Sequence, residues 1–109
     1  MSNLALLYDA PFGNRTAWDA FALAHFMHHK TLRSFINAPI TASKVDNAEP
    51  DRLDWMQSHA TEHMALAVAL NVQASTYVAE ADLTNKDQYA NWMYYHNLEH
   101  RLFDQALGL

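Results

Sequence analysis

Residues 92–100, Trp-Met-Tyr-Tyr-His-Asn-Leu-Glu-His, and residues 55–63, Trp-Met-Gln-Ser-His-Ala-Thr-Glu-His, are two versions of one nine-residue sequence. Five of the nine positions are identical in the two versions. Residues 21–29, Phe-Ala-Leu-Ala-His-Phe-Met-His-His, are a third and more divergent version. The three copies begin 34 and then 37 residues apart, so together they account for the whole chain. Self-similarity at such a spacing is typical of a repeated structural unit.

Each copy is predicted to lie in one long helix, because apolar residues follow the second histidine of every copy at the same helical offsets. These residues are Leu32 and Ile36, Leu66 and Leu70, and Phe103 and Leu107. Helices are predicted near 16–36, 50–70 and 85–107. The 109 residues then form one all-α domain, a three-helix bundle of tandem repeats about 1–37, 38–72 and 73–109, with long connectors.

The predicted helix ends carry residues that favour capping. At the N-terminal ends, the candidates are Thr16 with Asp19, Thr84 with Asp87, and Pro50 in the first turn. At the C-terminal ends, the candidates for the left-handed position are Asn37, Asn71 and Gly108. An apolar residue follows each of these three C-terminal candidates, as in a Schellman motif.

Six of the seven histidines are predicted to face the bundle core. They form one His-x-x-x-His pair in each copy: His25 and His29, His59 and His63, and His96 and His100. At about 100° per residue, each pair shares a stripe about 80° wide with the Trp or Phe that begins its copy and the apolar residues that follow. The seventh histidine, His28, is predicted to lie off this stripe.

Burying six imidazoles requires partners for their polar nitrogens, and a metal ion can supply them. Imidazole binds zinc, iron, nickel, copper and cobalt, and zinc is the first expectation, with iron or nickel as alternatives. One ion can take several rings, or each three-histidine layer can hold its own ion with an open position for water. Glu62 and Glu99 are then expected to accept the outer N–H of a ligand from a neighbouring helix, or to bind the ion themselves.

Two other classes of function remain open at this point. His59-x-x-Glu62-His63 and His96-x-x-Glu99-His100 both match an inverted zinc-protease pattern. A metalloenzyme, hydrolytic or of the di-iron type, would use an ion-bound water, with Glu62 or Glu99 accepting its proton. A metal-free adaptor would instead keep the histidines as a buried network with the two glutamates. The more economical hypothesis is metal binding by a small structural protein without catalytic residues.

The charge balance argues against nucleic acid as a partner. The formal net charge is −5 with seven Lys and Arg, and no basic cluster is present to bind phosphates. There is no cysteine to supply thiolate ligands or disulfides. No stretch is apolar enough to span a membrane, so a cytoplasmic protein is expected, with a protein partner or a second copy as a further candidate for binding.

The chain direction follows from the connector lengths. Each connector has roughly a dozen residues, which span up to about 40 Å when extended, whereas a helix of about 20 residues is about 30 Å long. A connector can therefore return along a helix and start the next one from the same end. Parallel helices are predicted, with His25 beside His59 and His96, although an up-down-up arrangement would also bring the pairs together.

The pattern Trp-x-x-x-His-x-x-Glu-His-x-x-Leu around Trp55 and Trp92 resembles small uncharacterised proteins encoded among the structural genes of tailed bacteriophages. The first copy departs from it, with Phe21 in place of Trp and His28 in place of Glu. The resemblance covers most of the chain and implies a phage-encoded virion or assembly component, found in the host cytoplasm or the virion. It implies no enzymatic activity.

Overall fold

A computed structural model describes residues 10–37, 39–40, 53–73 and 81–109, with the side chains of 53–56 excepted. Three α-helices follow one another in these ranges: α1 (Arg15–Ser34), α2 (Leu53–Leu70) and α3 (Lys86–Leu107). No strand occurs in them. The prediction of an all-α three-helix bundle is therefore confirmed. None of these helices combines the length and the apolar character that a membrane crossing requires.

The N-terminal ends of α1 and α3 differ from the predicted capping boxes. Asn14 caps α1 by accepting from Ala17 N–H at 2.9 Å. Asn85 caps α3 by accepting from two backbone N–H groups at 3.1 and 3.0 Å. The prediction of Thr16 and Thr84 was wrong because the short Asn amide is at least as good a cap as Thr. Thr84 instead donates from its hydroxyl to Asp82 at 2.7 Å.

The C-terminal ends of α2 and α3 are Schellman motifs, as predicted. Asn71 and Gly108 take positive φ angles of 56° and 73°. In each motif the next residue returns an N–H to the helix, from Val72 to the Ala67 carbonyl at 2.9 Å and from Leu109 to the Asp104 carbonyl at 2.8 Å. Helix α1 is different: it ends at Phe35, which keeps a right-handed conformation, so the cap predicted at Asn37 was wrong.

The three helices run parallel, and two apolar clusters at opposite ends of the bundle show it. The N-terminal apolar cluster joins the first turns of α1 and α3, and its largest members are Trp18, Phe21, Tyr89 and Trp92. The C-terminal apolar cluster joins the second halves of α1, α2 and α3 through Leu32, Leu66, Ala67 and Phe103. Since N-terminal residues meet N-terminal residues and C-terminal residues meet C-terminal ones, the prediction of parallel helices is confirmed.

Some predictions lie outside the described residues. These are the helix start at Pro50, the position of the Trp55 side chain beside Phe21 and Trp92, and most of both connectors. The Phe21 and Trp92 rings do meet, with centroids 6.0 Å apart in an edge-to-face arrangement. The histidine pairs lie between the two apolar clusters, in the middle of the bundle.

Candidate metal centre

The first histidine of each helix meets the other two in one layer. In this first histidine layer the Nε2 atom of His25 lies 2.9 Å from those of both His59 and His96. The Nε2 atoms of His59 and His96 are 3.2 Å apart. All three residues are at most 3% exposed. The equal spacing of the pairs on parallel helices produces this layer, because equivalent positions fall at equal heights in the bundle.

The second histidine of each helix forms a second layer one helical turn further on. Here Nε2 of His29 lies 3.0 Å from that of His63 and 3.2 Å from that of His100. The two layers are in contact as well, since the Nε2 atoms of His96 and His100 are 3.1 Å apart. The structure thus brings together all six side chains that the sequence placed on the core stripe, and we call them the histidine centre.

Five side chains of the histidine centre bring their nitrogens close enough to share an ion. Each offers a ligand atom within 4.8 Å of all the others: His25, His29, His63, His96 and His100. The sixth, His59, is not within 4.8 Å of all five, but its Nε2 contacts those of His25 and His96 in the first layer. Such a buried cluster of imidazole nitrogens can hold a transition-metal ion.

The outer nitrogens of the second layer face acceptors from neighbouring helices. Glu99 of α3 accepts from His63 Nδ1 of α2 at 3.0 Å. Glu62 of α2 places Oε1 2.6 Å from His29 Nδ1 of α1, and its other oxygen pairs with Arg33. Both glutamates are buried, at 1% and 2% exposure. They therefore lie where the sequence placed them, outside the histidine centre and against its rings.

His28, which was predicted to lie off the stripe, completes this set of acceptors. Its Nε2 is 2.6 Å from Asp104 Oδ1, and its Nδ1 is 2.7 Å from His100 Nδ1. Because Asp104 accepts the Nε2–H, Nδ1 of a neutral His28 has a lone pair and accepts from His100. Burial lowers the pKa of His28 despite the opposing effect of Asp104, which favours this neutral form.

The three acceptors follow one rule around the bundle. In each copy the residue before the second histidine reaches the second histidine of another helix: Glu62 to His29, Glu99 to His63, and His28 to His100. We call this set the acceptor ring. Sequence reasoning missed the role of His28, although it aligns with the two glutamates in the nine-residue copies. It also missed Asp104, one turn after His100, which carried no signal of its own.

The acceptor ring favours protonation at Nδ1 in His63 and His100, which donate to Glu99 and His28. A neutral imidazole has one N–H, so Nε2 of these two rings then carries a lone pair. Nε2 of His29 lies 3.0 and 3.2 Å from these two atoms, and its Nδ1 lies 2.6 Å from Glu62 without hydrogen-bond geometry. Nitrogen lone pairs gathered in this way interact favourably with a cation.

The surroundings also keep five of the rings neutral, which is the state that binds a metal. Burial is the main reason that the pKa values of five rings lie well below the ordinary value, and charges on neighbouring histidines would lower them further. These five are His25, His29, His59, His96 and His100. Aromatic side chains cover the first layer: Phe21 stacks on His25 at 5.4 Å, and Trp92 stacks on His96 at 4.3 Å.

No protein-family model, curated protein sequence or solved structure matches this chain. The histidine centre and its acceptor ring are the features of the described residues that indicate a function.

Proposed function

We propose that this protein binds one divalent transition-metal ion through the six histidines of its centre, and that the ion mainly stabilises the bundle. The observation that carries the proposal is the convergence of buried imidazole nitrogens, five of which lie within 4.8 Å of one another. A bound cation would turn this crowding of lone pairs into favourable contacts. Glu62, Glu99 and the His28–Asp104 pair then orient the ligands and increase their basicity.

A structural role is supported by the position of the centre. The six ligands come in pairs from three parallel helices, so one ion would join all three at mid-height, between the two apolar clusters. Metal binding to a site that exists only in the folded chain contributes directly to the free energy of folding. A small bundle gains more from such an ion than a larger domain would, because it buries a smaller fraction of its surface on folding.

Elemental analysis of untagged protein, purified without a metal-affinity column, tests metal binding directly. We expect one ion per chain after exhaustive dialysis, and a lower melting temperature once a chelator has removed it. A protein that holds no metal, and whose melting temperature is the same with and without added divalent ions, would contradict the proposal.

The biological setting we propose is a virion or assembly component encoded by a tailed phage. The resemblance of the Trp-x-x-x-His-x-x-Glu-His copies to phage proteins supports it. A metal-stabilised bundle without a catalytic group suits such a role. The genes on either side of the coding sequence provide the test: we expect capsid or tail genes, and a location without phage genes would count against the proposal.

A further inference from the structure

The distances within the histidine centre carry information about the coordination number of the ion. For metal–nitrogen bonds of about 2.1 Å, neighbouring ligands of an octahedron lie about 3.0 Å apart and opposite ones about 4.2 Å apart. The Nε2–Nε2 contacts within the layers are 2.9 to 3.2 Å long, and the His96–His100 contact, which joins the layers, is 3.1 Å long. Among five of the ligand atoms no separation exceeds 4.8 Å, close to the distance between opposite ligands, and His59 would move inward to complete the octahedron.

From this geometry, and on the basis of the proposed metal binding, we infer a six-coordinate octahedral site for a single ion with a partly filled d shell. The ions that fit are Fe²⁺, Co²⁺ and Ni²⁺ rather than Zn²⁺. The two histidine layers would be the opposite triangular faces of the octahedron.

A single ion is required because the layers are too close for two. His96 and His100 belong to different layers, yet their Nε2 atoms are only 3.1 Å apart, the same as atoms within a layer. Ions in two-metal sites lie about 3.5–4 Å apart and are usually joined by bridging ligands. Two ions, one in each layer, would be closer than this.

The choice of metal follows from the number of nitrogen donors. Zn²⁺ has a filled d shell, gains no ligand-field stabilisation, and is almost always four-coordinate in structural sites. Fe²⁺, Co²⁺ and Ni²⁺ are stabilised by six nitrogen donors around a partly filled shell. Cu²⁺ prefers a tetragonal arrangement, which the short contacts in both layers do not provide. Zinc was the first expectation from the sequence, and the six-donor geometry favours these other ions instead.

Six-coordination by protein also bears on chemistry at the ion. Catalytic zinc sites keep one position open for water or substrate. Here six imidazoles fill the octahedron, and each is at most 3% exposed. The ion would therefore have neither a bound water to activate nor a path for a substrate, unlike the hydrolytic alternative.

X-ray absorption spectroscopy of the untagged, metal-loaded protein tests the coordination number. With Ni²⁺ and with Co²⁺ we expect about six nitrogen neighbours at about 2.1 Å and the multiple-scattering pattern of imidazole. Cobalt should show the weak visible bands of an octahedral ion. Four neighbours and the intense bands of tetrahedral cobalt would overturn the inference while leaving metal binding intact. Failure to bind any of the tested ions would contradict the proposed function itself.

Competition between ions tests the selectivity. We expect Ni²⁺ to bind at least about tenfold more tightly than Zn²⁺ when both are titrated against the same chelator. Equal or tighter binding of Zn²⁺ would overturn the inferred preference for Ni²⁺.

Two variants of α2 provide a matched pair. His59→Ala removes a proposed ligand, so cobalt in this variant should gain an exchangeable water, detected by proton relaxation. Met64→Ala changes an exposed side chain of the same helix, so cobalt should stay octahedral and dry. A water in both variants, or in neither, would contradict the assignment of ligands. If His59→Ala fails to fold, the absorption spectra of the unmodified chain decide the coordination number alone.

Discussion

In the first histidine layer, Phe21 stacks on His25 and Trp92 stacks on His96. In the second layer, the outer nitrogens of the rings instead meet the buried polar acceptors Glu62, Glu99 and His28. The first layer is thus oriented largely by apolar packing, and the second by hydrogen bonding that also places the protons. Packing contributes mainly to folding stability, whereas the acceptor ring should contribute mainly to metal affinity. Substitutions in each layer, and acid acting on both, can test this division of roles.

The largest effect should come from acid, which acts on both layers at once. Burial lowers the pKa of five of the rings, so the unfolded chain, with histidine pKa values near about 6.5, binds protons more tightly than the folded chain. The stability that neutral rings provide is therefore present above about pH 6.5 and is lost as the pH falls below it. Thermal denaturation at several pH values should show this loss, together with release of the ion.

Acid should also remove the difference between loaded and metal-free protein, because protonated rings cannot bind the ion. The two melting temperatures should converge well below about pH 6.5. A melting temperature that stays constant from neutral to acidic pH would show that the rings are not buried and neutral in the folded state.

The next largest effect should appear when one ligand is removed from each layer and the two variants are compared. His63→Ala and His59→Ala should both weaken metal binding, but His63→Ala also removes an N–H donor from the buried Glu99 carboxylate. In metal-free protein, we expect the free energy of unfolding to fall by about 1–3 kcal/mol more for His63→Ala. Urea denaturation measures the difference. The double variant His63→Ala/Glu99→Leu should recover most of it, and no recovery would refute this explanation.

Glu99→Gln tests the acceptor ring without removing a ligand. The amide keeps the shape of the side chain but replaces a charged acceptor, so metal affinity should fall about 10–100-fold. Competition with a chromophoric chelator gives the affinity, and circular dichroism shows that the helices are retained. Unchanged affinity would mean that Glu99 acts only in packing.

His28→Ala should also lower metal affinity, but less than Glu99→Gln does. The negative charge of the His28–Asp104 pair is on Asp104, so the His28 ring separates it from the ligand His100, whereas Glu99 contacts its ligand directly. We expect about a tenfold loss of metal affinity. Asp104→Asn should produce part of the same loss through His28. If neither substitution changes the affinity, the acceptor ring has only two functional members.

The smallest effect on metal binding should come from Phe21→Leu in the first layer. This change removes the stacking on His25 and should lower the free energy of unfolding by about 1 kcal/mol. Metal affinity should stay close to that of the unmodified chain. A loss of affinity as large as that of Glu99→Gln would show that packing and hydrogen bonding do not divide the two roles between the layers.

The sequence was sufficient for the architecture because that information is local and repeated. Three copies of one helical pattern predicted the three helices, and the Asn71 and Gly108 ends followed from their freedom to adopt positive φ. The N-terminal caps were predicted less well. Several polar residues stand near each helix start, and which one caps depends on where the chain enters the helix.

Sequence alone also determined which histidines share a helical face, because a spacing of four residues places two rings on the same side of any α-helix. Only the tertiary structure decided how the faces meet. The parallel arrangement brings the rings into two layers, the Nε2 atoms of the first layer lie 2.9–3.2 Å apart, and His28 receives a role from Asp104, 76 residues away. The physical reason is that coordination and hydrogen bonding depend on distances between helices, which no periodicity within a helix encodes.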